Sequence, residues 1–246
     1  MYAQPSVPIR HSVLLLTTAH SYRNQAFSAA AERLGITILP VVHMPQKLAA
    51  QQQSVIGVDF NQPDAAAATL AAFGREAKVD AVLAVDDSGT LVAAKTAALL
   101  GLHHNDPDAA HAARDKFVMR SRMAAAGVPC PWFARVETTE DARQVAAGAP
   151  LPCVVKPLAL NGSRGVIRAD TPTEFVAAVG RLQQLLQLEY PDQTAHSYLV
   201  EAFIPGVEVA LEGMLDNGQL TLLALFDKPD PLDGPFFEET IYVTPS

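Results

Sequence analysis

At 246 residues the chain has room for one large domain or two modest ones. With 49% hydrophobic and 18% charged residues, it carries enough apolar material for a core and too little charge for disorder. A net charge of −8 gives no general attraction to nucleic acid or anionic membranes, which discounts both partners and makes any phosphate site a local basic focus.

In chain order, the first hundred residues alternate strand and helix. Residues 12–16 form a short apolar run, read as a buried strand, and 17–22 a polar turn. Residues 24–34 are alanine-rich with helical spacing and stop at Gly35. Residues 36–42 and 55–58 read as strands, 63–77 as a helix with Pro63 in its first turn, 81–85 as a strand, and 90–100 as a helix closed by Gly101. Such alternation predicts a doubly wound α/β domain with a parallel sheet over 1–105. After a break at 102–106, Asp106 and Pro107 open a helical region that runs to Gly127, with room for two helices. Short strands follow at 132–136, 153–156 and 165–168, then a helix at 173–188. Strands at 198–203, 207–215 and 220–226 complete an α+β domain over 106–246, the last two joined by an Asp216-Asn217-Gly218 hairpin turn.

Cys130 and Cys153 are too few for a disulfide framework or a zinc site, and read as buried thiols of a reducing compartment. The apolar run at 13–16 is too short for a leader and no run reaches the length of a membrane span, so a cytoplasmic location is expected.

The familiar phosphate motifs fail. Gly89 with Lys95-Thr96 approaches a Walker A loop, but Ala94 stands where its glycine belongs, and no G-x-G-x-x-G follows the first strand. His103-His104 reads as linker, since consecutive residues rarely face one ligand. Three weaker signals remain. Lys156 ends a buried strand before Pro157, and its ammonium needs an anion or water. The glycine-rich run 161–165 follows, where backbone N–H groups can meet phosphate oxygens; a hairpin with a snorkelling lysine is the plainer reading of that pair alone. Glu201, at the end of an apolar strand, and Glu208, past Pro205-Gly206, can present carboxylates to a purine edge and a ribose, or simply face solvent. Lys116 sits off the apolar face of its helix, within range of a phosphate or paired with Asp115. His20, Tyr22 and Asp86-Asp87 lie at the carboxyl ends of parallel strands, where ligands bind in open α/β sheets, and read equally well as exposed loop polars.

Together these motifs resemble the ATP-grasp superfamily in order and spacing: DK…R…AGVPCP at 115–131, VVKP at 154–157, NGSRGV at 161–166 and YLVEAFIPGVE at 198–208. The segment 83–105 looks like the end of the domain that precedes the ATP-grasp core. The tail 226–246 is most similar to ATP-dependent carboxylate–amine ligases that join amino acids. It is less similar to the purine-pathway and biotin-carboxylase branches.

The resemblance implies that Lys116 and Lys156 contact ATP phosphates under a loop containing Gly162, Ser163 and Gly165. Glu201 would hold the adenine amino group, Phe203 and Ile204 would supply hinge backbone contacts, and Glu208 would bind the ribose. Lys228 would serve catalysis, facing the phosphates or the acyl substrate. The implied partners are ATP with Mg²⁺, a small carboxylate and an amine; a homodimer is open, since the family often dimerises. In that family the magnesium ligands lie after the FFEETIYVTPS segment, so they are expected beyond Ser246, and Asp227, Glu238 and Glu239 stand in the wrong segment to replace them. The chain thus reads as the N-terminal part of a ligase that activates a carboxylate as an acylphosphate. A purine-pathway or biotin-carboxylase-like enzyme, or a nucleotide-holding chain without chemistry, is the alternative.

Overall fold

A computed structural model describes residues 11–18, 21–49, 55–230, 233–237 and 241–246. The described chain forms two compact units, one up to Ala113 and one from Arg114.

The first unit contains β1 (Ser12–Thr17), α1 (Asn24–Leu34), β2 (Thr37–His43), α2 (Gln46–Ala49), β3 (Ile56–Val58), α3 (Pro63–Ala77), β4 (Ala81–Ala84), α4 (Asp87–Leu100) and α5 (Pro107–Arg114). Helix α5, expected in the second domain, thus falls almost wholly with the first, where it buries Ala110 and Ala112. The four strands are all parallel, in the order β3-β2-β1-β4. β1 is central because its leucines do not alternate: Leu14, Leu15 and Leu16 are all buried, as a strand covered on both faces requires. Helices α1 and α4 stop where a left-handed residue turns the chain out, Gly35 and Gly101, each donating its N–H to carbonyls of the last turn. Helix α4 starts at Asp87, three residues before the predicted Thr90.

The second unit contains α6 (Lys116–Ala125), β5 (Phe133–Glu137), α7 (Ala142–Gly148), β6 (Cys153–Pro157), β7 (Ile167–Ala169), α8 (Pro172–Glu189), β8 (Ser197–Ala202), β9 (Val209–Asp216) and β10 (Gln219–Asp227). β5, β8, β6 and β7 form, in that order, an antiparallel sheet. Its register sorts the side chains by face. Val136, Cys153, Val155, Ile167, Ala169, Tyr198 and Val200 enter one core with Phe175, Val179, Leu182 and Leu186 of α8. The alternate residues, Phe133, Arg135, Val154, Lys156, Arg168, Leu199 and Glu201, share the other face. Helix α8 is fixed at its start by a capping box between Thr171 and Glu174.

β9 and β10 form a separate hairpin closed by Asn217 and Gly218, both at positive φ, the two-residue turn that matches strand twist. Its residues are mostly exposed, apolar ones included: Leu211, Met214, Leu215, Leu220, Leu222 and Leu223 are each more than half exposed. Val243 pairs with Asp227, tying the tail to this hairpin.

Candidate functional site

The face of the antiparallel sheet opposite its core carries the charge expected from the sequence. Glu201 lies across from Val154 on β6, and Lys156 two residues further, so lysine and glutamate form a diagonal cross-strand pair. The Lys156 ammonium donates to Glu201 Oε1. A third group arrives from α6: Arg120 Nε donates to Glu201 Oε2 at 3.0 Å. All three side chains are largely covered, with relative exposures of 14% for Lys156, 16% for Arg120 and 7% for Glu201. A carboxylate this buried needs charged partners, and it has two. From the sequence only Lys156 was expected to need an anion or water; Arg120 stands in the motif string, yet spacing alone assigns it no partner.

Helix α6 is set on this unit by its own first turn. The Asp115 side chain caps it, accepting from the N–H groups of Phe117 and Val118, so Asp115 serves the helix. The Lys116 N–H donates to the Leu158 carbonyl at 3.0 Å, and its ammonium donates to the Leu160 carbonyl at 2.5 Å. Lys116 therefore braces the segment that leads from β6 into the glycine-rich loop. In that loop Gly162, Ser163 and Gly165 all have positive φ, at 61°, 55° and 74°. Ser163 is the non-glycine among them, a strained conformation of the kind that clusters at ligand-binding turns. A Cβ on Gly165 would come within 2.7 Å of Leu185 Cδ2, so the loop packs directly on α8. A cleft of about 350 Å³ flanks the loop on that side, bounded by Arg181, Leu182, Leu185, Phe236 and Phe237.

Past β8, the backbone is tied on both sides. The Ala202 N–H donates to the Trp132 carbonyl at 2.8 Å and the Phe203 N–H to the Pro152 carbonyl at 3.0 Å. Phe203 thus offers a ligand its carbonyl rather than its N–H. Ile204 is 61% exposed. The Arg168 guanidinium lies over the Phe203 ring, 4.1 Å from its centroid, a contact the alternation of β7 foreshadows only as a charged residue on this face.

Glu208 and Lys228 belong to a second group, at the base of the hairpin. The Lys228 side chain is nearly covered; its ammonium donates to Glu208 and sits 5.3 Å from the Tyr242 ring centroid. The expected ribose acceptor and the expected catalytic lysine therefore hold each other.

In the first unit, Asp86 closes its own loop, accepting from Thr18 Oγ1 at 3.0 Å and Ser21 Oγ at 2.9 Å. Asp87 is the first residue of α4, and Tyr22 is 84% exposed. His20, Glu238 and Glu239 lie outside the described residues. Among the described residues no three His, Cys, Asp or Glu side chains converge to hold a metal ion, so no reaction step is assigned to magnesium. Nor is any described helix long and apolar enough to cross a membrane.

Comparison with known proteins gives this arrangement its family. Residues 27–104 match the ATP-grasp N-terminal domain and residues 149–246 the ATP-grasp domain. The chain belongs to the ATP-grasp superfamily. It is 28% identical over 170 residues to the uncharacterized protein y4rH of Sinorhizobium fredii, covering 69% of this chain and 35% of that protein. An L-amino acid ligase from Bacillus licheniformis has the same fold, with a TM-score of 0.74 at 23% identity, over 95% of this chain and 56% of that one. N5-carboxyaminoimidazole synthetase from Staphylococcus aureus, solved with ADP, aligns with a TM-score of 0.62 at 13% identity, over 91% and 56% of the two chains. The chain spans little more than half the length of these structures, and about a third of the curated relative.

Proposed function

We propose that the second unit binds ATP, as the nucleotide-holding part of a ligase that forms C–N bonds. The observation that carries this reading is the buried Glu201 carboxylate, clamped by Lys156 and Arg120 at the strand end that leads into the hinge. A carboxylate only accepts hydrogen bonds, and two oxygens offer about four acceptor positions. Two positions go to the cations; the others suit an exocyclic amino group. Adenine presents such a donor on that edge, whereas guanine presents a carbonyl oxygen there and meets an acceptor with an acceptor. In this reading the Phe203 carbonyl and the Ile204 backbone complete the base site and Glu208 takes the ribose. Lys156, Lys116 and the loop of Gly162, Ser163 and Gly165 face the phosphates. Magnesium enters with the nucleotide.

The proposed reaction transfers the γ-phosphoryl group to a substrate carboxylate oxygen, giving an acylphosphate and ADP. An amine then attacks the acyl carbon, phosphate leaves, and an amide forms with loss of a proton. Positioning and charge neutralisation dominate such chemistry. The likeness to the L-amino acid ligase favours amino acids as the carboxylate and amine. Lys228 is proposed to act in that step once Glu208 releases it to the ribose.

Trp132 is the chain's one tryptophan, and its carbonyl is bonded to the hinge at Ala202. Titrating Mg-ATP against Trp132 emission should give a saturable change. Lys156→Ala should weaken that affinity by about 1–3 kcal/mol, the scale of a charge-assisted contact. Saturable binding untouched by Lys156→Ala would remove this lysine from the site, and no binding at all would end the nucleotide reading. ADP release stimulated by pooled amino acids, rather than by bicarbonate with a purine ribotide, would select the amino acid branch.

A further inference from the structure

Arg168 joins three segments of the second unit. Its strand, β7, begins just past the glycine-rich loop, and its side chain lies on the same sheet face as Lys156 and Glu201. Arg168 Nε donates to Asp170 Oδ1 at 2.7 Å and Nη1 to the Asp233 carbonyl at 2.7 Å. The Arg168 N–H donates to the Pro235 carbonyl at 2.9 Å, and Phe236 bridges to Ile167, so residues 233–236 run along the free edge of β7. Gly234 permits that approach: at φ +92°, a Cβ there would lie 2.9 Å from Arg168 Cβ. Asp170 is itself held, its N–H donating to Glu174 in the cap of α8. The guanidinium plane is thus fixed by two bonds before it meets the Phe203 ring at 4.1 Å. Only 22% of the Arg168 side chain is exposed.

A strap needs only the hydrogen bonds to hold it; the stack on Phe203 adds a constraint on the hinge. Phe203 follows the end of β8, next to exposed Ile204 and the chain-turning Pro205-Gly206, and among the described residues its backbone is tied by the N–H to the Pro152 carbonyl. We propose that Arg168 is a positioning residue for base selectivity: by stacking on Phe203 it fixes the hinge carbonyl that reads the purine edge, without touching the nucleotide. This rests on the reading of the second unit as an ATP site. It separates Arg168 from the phosphate-side groups, whose contribution does not depend on the identity of the base.

The test compares three ligands by competition against a fluorescent ATP analogue: ATP, GTP and inorganic tripolyphosphate. Arg168→Met keeps an apolar stem over the ring and removes the charge and both side-chain bonds. It should lower ATP affinity about tenfold and the ATP-to-GTP preference about fivefold, the range of a partly desolvated cation–π contact. Tripolyphosphate affinity should stay within about twofold of the unaltered chain's. Phe203→Leu should reproduce the loss of preference, and the double variant should add little to either, since the two residues act through one contact. Arg168→Lys, which keeps a cation over the ring, should recover part of the preference, and it carries the test if Arg168→Met does not fold. A parallel fall in tripolyphosphate affinity would reduce Arg168 to a structural staple and overturn the proposal, as would an unchanged preference or full additivity with Phe203→Leu. Failure of the unaltered chain to bind ATP would bring down the ATP reading together with this one. Intact ATP binding with an unaltered preference in Arg168→Met would bring down this one alone.

Discussion

Cys153 and Tyr198 stand on the core face of the site-bearing sheet, directly behind the charged residues. Burial, with Asp170 nearby, pushes the Cys153 thiol up to about 11 from 9.0. Burial likewise raises Tyr198 to about 12 from 10.0, with Glu140 and Cys153 adding to it. Both groups are neutral when protonated, so the folded state holds their protons more tightly than the unfolded chain. Their contribution to stability is complete below pH about 9. It falls as the unfolded chain ionises first, through about 11 for Cys153 and about 12 for Tyr198. A thiol reagent at pH 8 should therefore label half-buried Cys130 and spare Cys153 until the chain is unfolded in urea. Two fast thiols under native conditions would contradict the buried placement. At this scale the sequence was partly legible. Lys156 announced itself as a charge at the end of an apolar strand, which needs an anion or water, whereas Glu201 read equally as a purine contact or a solvent-facing carboxylate. Arg120 and Arg168 could not be assigned, because pairing across 81 residues depends on which helix covers which sheet face.

The loop between β6 and β7 takes its path from backbone conformations that favour glycine. Gly165 has φ +74° and faces α8, with Leu185 and Leu182 in the space a Cβ would occupy. Gly165→Ala should cost about 1–2 kcal/mol of stability from the left-handed backbone, and should weaken ATP binding through the displaced loop. A urea melt with a parallel ATP titration checks both, and an unchanged midpoint would show the loop free to relax. Elements with long periodic patterns were readable: α1 and α3 have the predicted bounds, and the Asn-Gly turn lies where the hairpin signal put it. Short helices were not. α7 spans seven residues and α2 four, fewer than hydrophobic periodicity needs to declare itself. Their formation rests on local bonds, such as the Asp141 cap on α7.

For the molecule as a whole, the uneven feature is the β9–β10 hairpin. A two-stranded hairpin is marginal in isolation, and this one leaves leucines on both strands open to water. The chain should bind a hydrophobic dye in proportion to this surface. Leu220→Lys, at a 58% exposed position beside the turn, should lower dye uptake and raise the concentration at which the chain stays dispersed, with its melting temperature unchanged. Equal dye uptake by the variant would place the sticky surface elsewhere. The alternation of strand and helix foretold the parallel first unit, and the change of grammar foretold an α+β second one, but not that the strand at 197–202 would join the earlier strands and leave β9 and β10 as a separate pair. The boundary is where pattern gave out: α5 reads from its sequence as the opening of the second unit, and only its packing assigns it to the first.

The strand order β5-β8-β6-β7 has a consequence for how the chain is made. β5 pairs with β8, and Ser197 bonds Glu137 across a separation of 60 residues. A ribosome adding about 5–20 residues per second would emit β5 several seconds before its neighbour exists. In the first unit β1 meets its first neighbour sooner, since Ser12 pairs with Thr37 of β2, although Val13 pairs with Ala81 only when β4 follows. Between those moments Phe133 and Val136 have no partner strand, and a molecular chaperone that recognises extended apolar segments would find a target in the nascent chain there.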